Sequence, residues 1–492
     1  MEKRNMHVEE EAARCLFCND APCSRVCAHG DPARAIRAIR FGNKNVAKRW
    51  VARCTDAELE DAERACIHYD RPVRIRELVA SLPDEDKNFS ANTLSSLAIT
   101  FCGIPCENPF FLASSSVCTN YEMVARAFEA GWAGVFYKTI CFDDIREVSP
   151  RFDAVHKAGT SDIISFRNME QLSENPVDVD FDILRRLKRD YPSKVVVASI
   201  MGSTEEQWIE LAKMAEQAGV DAVELNFSCP QMRLAGMGSD VGQNAELVLF
   251  YTVYVKRNVS IPVIPKMTPN ITHMNQPAIA AYFAQADGIS AINTIKSVTM
   301  SDFAEVSDKK VISGLSGRAV KPIALRFILE MARNPLMKGL QLSGVGGIET
   351  WRDALEFIQL GCHNVQVCTA VMQYGYRIID DLTLGLQTYL AGRGISNLED
   401  IVGEQVPRFV NPSDLDRETV VYPKIDKDRC IGCGRCYISC QDGGHQAIVF
   451  DSETRLPRLI GTRCVGCHLC RLVCPSGAIS MSKRVNKRPH KT

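Results

Sequence analysis

The stretch 222-AVELNFSCPQM-232 reads as a short apolar strand that closes on an amide, a hydroxyl and a thiol before Pro230 stops it. Proline lacks a backbone donor, so the strand pattern ends there. The stretch is one of a series. Apolar runs rich in Val and Ile recur at 110-FFLASS-115, 135-VFYKT-139, 195-VVVASIMG-202, 222-AVELNFS-228, 263-VIPKMT-268, 288-GISAINT-294, 341-QLSGVGG-347 and 364-NVQVCTA-370. Helical patterns such as 122-EMVARAFEAG-131 and 205-EEQWIELAKMAEQAG-219 lie between them. Eight β-then-α units predict the α/β class and a (β/α)8 TIM barrel. An open doubly wound sheet is the alternative. It more often carries G-x-G-x-x-G after its first strand, and none stands there.

Polar residues gather at the C-terminal ends of these runs: Ser114, Lys138, Asn226, Lys266, Asn293, Thr294, Gly346 and Thr369. In a barrel those ends form a single mouth, where chemistry is done. Lys138 and Lys266 end otherwise apolar strands, and a buried lysine is costly without a partner. They read either as rim ion pairs or as cations held for an electron-rich ring. Asn168, Asn226 and Asn293 donate and accept together, which suits a flat heterocycle with N–H and C=O groups. Glu170 only accepts and suits a ring N–H; each of these alone reads as a turn or cap residue. Gly346 and Gly347 fall in the seventh unit, where a barrel commonly binds phosphate, and Ala370 opens a helix in the eighth. Cys229 has no second cysteine near it, so a metal is not its reading. It is either a packed thiol or a general acid, since an ordinary thiol pKa of ~8.5 keeps the proton at neutral pH. The loop 231-QMRLAGMGSDVGQN-244 that follows is rich in Gly and Met and suited to closing over a ring.

At 492 residues the chain is too long for one core, and a net charge of −1 points away from nucleic acid and from a membrane surface. The basic tail 483-KRVNKRPHK-491 reads as a solvated end. No apolar run approaches the ~18 residues of a membrane span, and 1-MEKRNMHVEEEAARC-15 lacks the apolar centre of a signal peptide, so a cytoplasmic location is expected. The segment 81-SLPDEDKNFSANTLSS-96 reads as a linker and 97-LAITFCGIPCENPF-110 as a short hairpin. In a long chain of this kind, 21 cysteines clustered near both ends point to metal rather than disulfides. Cys102, Cys106, Cys118, Cys141, Cys362 and Cys368, scattered between, read as small buried hydrophobes.

The C-terminal cluster is a duplicated motif, Cys430-x2-Cys433-x2-Cys436-x3-Cys440 and Cys464-x2-Cys467-x2-Cys470-x3-Cys474-Pro475. In this spacing the first three cysteines of a run hold one cubane and the fourth serves the other. One [4Fe–4S] cluster is therefore assigned to Cys430, Cys433, Cys436 and Cys474. The second is assigned to Cys464, Cys467, Cys470 and Cys440. Structural zinc rarely repeats this spacing. Two adjacent clusters carry single electrons, so the barrel is expected to hold a flavin that converts them into a two-electron event. The N-terminal 15-CLFCNDAPCSRVC-27 is compatible with zinc or iron–sulfur, and the ferredoxin-like tail favours the second. The expected domains are a helical iron–sulfur domain over 1–85, a flavin-binding barrel over 95–400 and a ferredoxin-like 2×[4Fe–4S] domain over 420–482.

The stretches 164-ISFRNMEQ-171, 224-ELNFSCPQM-232, 237-MGSDVGQ-243, 264-IPKMTPNI-271, 291-AINTIKS-297 and 319-AVKPIALRF-327 resemble the dihydropyrimidine dehydrogenase family. The likeness runs from about residue 95 to 482 and is nearest the bacterial subunit that joins an FMN barrel to a ferredoxin domain. The resemblance implies FMN, and hydride exchange between flavin N5 and pyrimidine C6. The C5 proton would be exchanged by a cysteine that falls on Cys229. Pyrimidine contacts fall on Asn168, Glu170, Asn226, Ser228, Asn293 and Thr294. Flavin contacts fall on Ala113, Ser114, Lys138, Lys266, Gly317, Gly346, Gly347, Cys368 and Thr369. Residues 11–27 resemble the family's helical iron–sulfur domain. Its first cluster would take Cys15, Cys18, Cys23 and a distant Cys66, or locally Cys15, Cys18, Cys23 and Cys27. A second cluster there would need Cys27, and only Cys54 remains to join it.

In the family, FAD- and NAD(P)H-binding domains follow those helices. Here the chain passes straight to the barrel, so electrons are expected from a separate flavoprotein subunit, a ferredoxin or a flavodoxin, in a homodimer or hetero-oligomer. The activity implied is reduction of the 5,6 double bond of uracil or thymine, or the reverse oxidation. The rivals are dihydroorotate dehydrogenase, reduction of another planar amide heterocycle, and a catalytically silent electron carrier. A dihydroorotate dehydrogenase usually has Asn at the position of Gln231, and Glu170 would repel orotate's carboxylate.

Overall fold

The computed structural model describes residues 2–83, 95–157, 162–230, 237–300 and 311–487, with side chains from residue 8 onward. Most of the linker expected at 81–96, the start of the loop at 231–244 with Gln231, and the end of the basic tail lie outside the described residues.

Eight parallel strands close into a barrel: β1 Phe110–Leu112, β2 Gly134–Phe136, β3 Val195–Ile200, β4 Ala222–Asn226, β5 Val263–Met267, β6 Gly288–Ala291, β7 Gln341–Val345 and β8 Cys362–Val367. Neighbours in the ring are neighbours in sequence, and β8 closes on β1 through Val365 opposite Phe110. Strands β1 to β5 are buried along their whole length, as a sheet covered on both faces requires. Each strand leads into a helix, from Tyr121–Ala130 after β1 to Ile379–Gly392 after β8. Several starts are fixed by local hydrogen bonds. Thr204 accepts from the Gln207 amide, and Thr350 and Asp353 form a capping box. Trp132, Trp208, Tyr137 and Phe227 are fully buried between helices and barrel.

The eight runs read from sequence all become barrel strands, but each strand stops earlier than its run. The polar residues beyond the strands form the mouth. The expected hairpin is present as Ile99–Phe101 paired with Ile104–Cys106. No run singled out in the sequence marks the four-stranded antiparallel sheet over the mouth. It is built from Phe152–His156, Ile163–Asn168, Ile295–Ser297 and Ser313–Ser316, drawn from the connections after β2 and β6.

The chain divides into two compact units. Phe41–Asn43 and Glu85–Arg408 form the barrel unit; Met1–Arg40, Lys44–Asp84 and Phe409–Thr492 form the other. In the barrel unit Asn43 donates its side-chain N–H to the carbonyl of Asp381 at 2.8 Å, and Phe41 meets Tyr374 edge-on at 5.4 Å. The second unit contains the N-terminal helices, which bury Ala35, Ile36, Ile39 and Leu59, and the C-terminal segment with its short paired strands. The pairing of Thr419–Val420 with Val485–Asn486 carries that segment slightly past the 420–482 bounds. No helix among the described residues is long and apolar enough to cross a membrane.

Candidate active site

A cavity of about 960 Å³ opens at the C-terminal ends of the barrel strands. Its lining includes Ala113, Ser114, Lys138, Asn168, Glu170, Asn226, Cys229, Lys266, Asn293, Thr294, Gly317, Gly346, Gly347, Cys368 and Thr369. Every barrel residue singled out from the sequence for this site therefore meets the others, except Ser228. That side chain is fully buried behind the wall, where it orients two amides. Its hydroxyl donates to Asn226 Oδ1 at 2.7 Å and accepts from Asn293 Nδ2 at 2.8 Å. Asn226 Nδ2 donates to Thr139 Oγ1 at 2.9 Å, and Asn293 Oδ1 accepts the Thr294 amide at 2.7 Å. Both amide orientations are thus set by the protein before any ligand arrives.

Asn168 reaches the cavity from the sheet over the mouth rather than from a barrel strand. It ends Ile163–Asn168, and its register partner is Gly314. A Cβ at Gly314 would stand 2.3 Å from Thr294 Oγ1, so only glycine lets these two walls meet.

Lys138 and Lys266 are 4% and 3% exposed, and both are ion-paired. Lys138 Nζ lies 3.1 Å from Glu170 Oε2, and Arg151 approaches the other oxygen at 3.5 Å. Lys266 Nζ lies 3.6 Å from Glu224 Oε2 on β4, a carboxylate with no exposed surface. Ser199 donates to Glu224 Oε1 at 2.9 Å and bonds Thr139, which also bonds Ser114. A polar chain from Ser114 to Lys266 therefore runs beneath the cavity floor. Thr139, Ser199 and Glu224 were not anticipated; inside all-apolar runs their only signal was the break in hydrophobicity. Burial pushes the Cys368 thiol above the ordinary range, which keeps it protonated, and also raises the Glu147 carboxyl beside Gln171. Cys229 is 5% exposed at the wall, fixed where Pro230 turns the chain and the Ser239 amide donates to the Cys229 carbonyl.

The cavity fits a flavin nucleotide on four observations. It has room and apolar walls. It has buried cations at one side. Gln366 lines it with an Oε1 that is buried and has no hydrogen-bond partner among the described residues, although its Nε2 is satisfied by Ser290 and Ser343. Gly317, Gly346 and Gly347 all take positive φ, turning backbone at the end where a phosphate group would lie.

Three smaller hollows in the other unit are lined by cysteines. One contains Cys430, Cys433, Cys436 and Cys474 among Ile425, Ile431 and Ile479. Another contains Cys440, Cys464, Cys467 and Cys470 among Ile448 and Leu459. The fourth cysteine of each run has crossed to the other set, as the spacing requires. Backbone N–H groups of Ala447 and Gly466 donate to Cys440 and Cys464 Sγ. The third hollow gathers Cys15, Cys18, Cys23 and Cys66 around Ile36, Val73 and Ile75. Cys27, the fourth member of the local set, is not in that lining and meets Cys54 instead.

Residues 96–390 match the family model described as dihydroorotate dehydrogenase, and 423–481 match a 4Fe-4S dicluster domain. The Escherichia coli K12 NAD-dependent dihydropyrimidine dehydrogenase subunit PreA is 53% identical over 367 residues, covering 73% of this chain and 89% of the relative. The chloroplastic dihydropyrimidine dehydrogenase (NADP(+)) of Arabidopsis thaliana is 35% identical over 358 residues, 69% and 84% of the two chains. The chain belongs to the dihydropyrimidine dehydrogenase family. The barrel of this dihydropyrimidine dehydrogenase homologue is also 34% identical over 311 residues to the catalytic subunit of Pyrococcus furiosus dihydroorotate dehydrogenase B (NAD(+)), covering 63% of this chain and 98% of that one. Its C-terminal module is a two-cluster [4Fe–4S] domain.

Proposed function

We propose that this chain reduces the 5,6 double bond of uracil or thymine, or oxidises the dihydro form, on FMN bound in the barrel. The observation that carries this reading is the convergence of Cys229, three amides, two of them held in orientation, and Glu170 on one cavity with two buried lysines. When bound, FMN supplies hydride chemistry to the substrate while accepting electrons one at a time. Lys138, Lys266 and Gln366 would hold its ring. Ala113, Ser114, Gly317, Gly346, Gly347, Cys368 and Thr369 would hold its edge and phosphate. Asn168, Asn226, Asn293 and Thr294 read the alternating N–H and C=O groups of the pyrimidine, and Glu170 accepts a ring N–H. Cys229 Sγ gives its proton to C5 as C6 is reduced, and takes it back in the reverse direction.

Glu170 favours a neutral pyrimidine over orotate, because a second carboxylate beside it would be repelled. The two C-terminal cysteine sets, and Cys15, Cys18, Cys23 and Cys66, would hold clusters that supply electrons one at a time. Their source would be an FAD- and NAD(P)H-binding subunit, a ferredoxin or a flavodoxin, in the cytoplasm. The test is anaerobic: FMN-loaded protein is reduced with an artificial donor and offered uracil, thymine, orotate and other cyclic imides while the flavin's visible absorbance is followed. Return of the oxidised spectrum with uracil or thymine is the expected result. Reoxidation by orotate alone, or by another ring alone, would remove the substrate assignment.

A further inference from the structure

Cys27 and Cys54 stand apart from the three cluster sets. Their sulfurs are 2.9 Å apart, a contact between residues 27 positions distant in sequence. Two thiolates on a tetrahedral metal with bonds of ~2.3 Å would lie about 3.8 Å apart, so this spacing is too tight for shared metal ligation. It lies within about 0.9 Å of the ~2.05 Å sulfur–sulfur bond.

The frame around the sulfurs holds them there. Glu58 accepts from the Thr55 amide at 2.8 Å and Thr55 Oγ1 at 3.0 Å, next to Cys54. The same carboxylate accepts from the Ala28 amide at 3.2 Å and pairs with His29 Nδ1 at 2.7 Å, next to Cys27. One side chain thus clamps both cysteine-bearing segments. Gly30 completes the frame: a Cβ there would stand 2.3 Å from Cys54 Sγ and 2.5 Å from the Trp50 carbonyl. Cys27 is 6% exposed, whereas Cys54 is part-exposed.

We propose that Cys27 and Cys54 form a redox-active dithiol–disulfide site, oxidised by low-molecular-weight disulfides of the glutathione type. Cys54, the more accessible, attacks the incoming disulfide after losing its proton; burial, Cys27 and the Glu58 carboxylate push that thiol up to about 12, so the attack is slow at neutral pH and quickens as pH rises. One small thiol leaves with that proton, and a mixed disulfide remains on Cys54. Cys27 then attacks the Cys54 sulfur, and the second small thiol leaves with the Cys27 proton. The two protein sulfurs lose two electrons, and the small disulfide gains them. A two-electron sulfur couple thus sits within the same helical segment as the Cys15, Cys18, Cys23 and Cys66 set. It is independent of the pyrimidine chemistry proposed for the barrel.

The test uses anaerobically purified, cluster-loaded full chain equilibrated across a glutathione redox series, quenched by alkylation and mapped by peptide mass spectrometry. Alkylatable thiols are expected to fall by two per chain, with Cys27 and Cys54 recovered in one linked peptide that dithiothreitol separates. C27S is expected to trap glutathione on Cys54, and C54S to leave Cys27 free. Iron per chain in both variants is expected to match the wild type. The proposal is overturned if both thiols of the wild type stay alkylatable at the oxidising end, or if either links to another cysteine. Loss of one cluster's iron in C27S or C54S would overturn it as well. The wild-type titration decides the matter even if a variant fails to fold.

Discussion

Replacing Glu224 by Gln tests the polar floor of the barrel. Glu224 is fully buried, Lys266 is 3% exposed, and their charges lie 3.6 Å apart. At an effective dielectric of ~20 that separation corresponds to about 4.6 kcal/mol of attraction. Breaking a buried pair from one side typically costs ~3–5 kcal/mol, because the remaining charge has no compensation. Gln keeps the shape and can still accept from Ser199, so E224Q isolates the charge. The expected loss is about 3–5 kcal/mol. The double variant E224Q/K266M removes the stranded cation and should recover to within ~1–2 kcal/mol of the wild type. Urea unfolding of flavin-depleted protein, followed by tryptophan fluorescence, reads this directly, because Trp132 and Trp208 are fully buried against the barrel. An unchanged midpoint in E224Q would show that the pair is not held as two charges. So would a double variant no more stable than E224Q.

C229A should lower turnover by about 10²–10⁴-fold while leaving reduction of the flavin by an artificial donor intact, as expected of a proton donor; stopped-flow spectra separate the two steps. C66S should remove one cluster's iron without changing the C-terminal pair, measured by iron content and electron paramagnetic resonance of the reduced protein. G314A should cost ~1–3 kcal/mol and raise KM more than it lowers kcat, because its Cβ would displace Thr294. Burial holds His363 below its ordinary pKa, so it is neutral when folded and charges more readily when unfolded. Its contribution is therefore present above about pH 6.5 and lost as pH falls from there. H363Q should flatten the fall in thermal stability below about pH 6.5.

The barrel was legible because eight largely buried strands leave eight short, mostly apolar runs, and a barrel sends the polar residues after them to one mouth. Asn226, Lys266 and Asn293 were found by position alone. The sheet over the mouth left no such trace. Its strands are 3–6 residues long and mostly half-buried, and Ile163–Asn168 pairs with Ser313–Ser316 across a long gap in sequence. Ser228 was placed on the cavity wall by its motif. The structure moves it one layer back, since a hydroxyl between two amides serves them better than a ligand. Spacing assigned the two C-terminal cysteine sets that the hollows gather. It left the N-terminal fourth ligand open between Cys27 and Cys66, because a local turn and a distant helix end can both complete three cysteines. Only the packing around Ile36 and Val73 brings Cys66 in.

The crossing of Cys440 and Cys474 between the two C-terminal hollows bears on how the protein is matured. Neither half of the duplicated motif can close around its iron until the other half has folded beside it. A cluster assembled on either set therefore waits on the folding of both halves. A single lesion at either crossing residue would likewise be felt at both ends of the module.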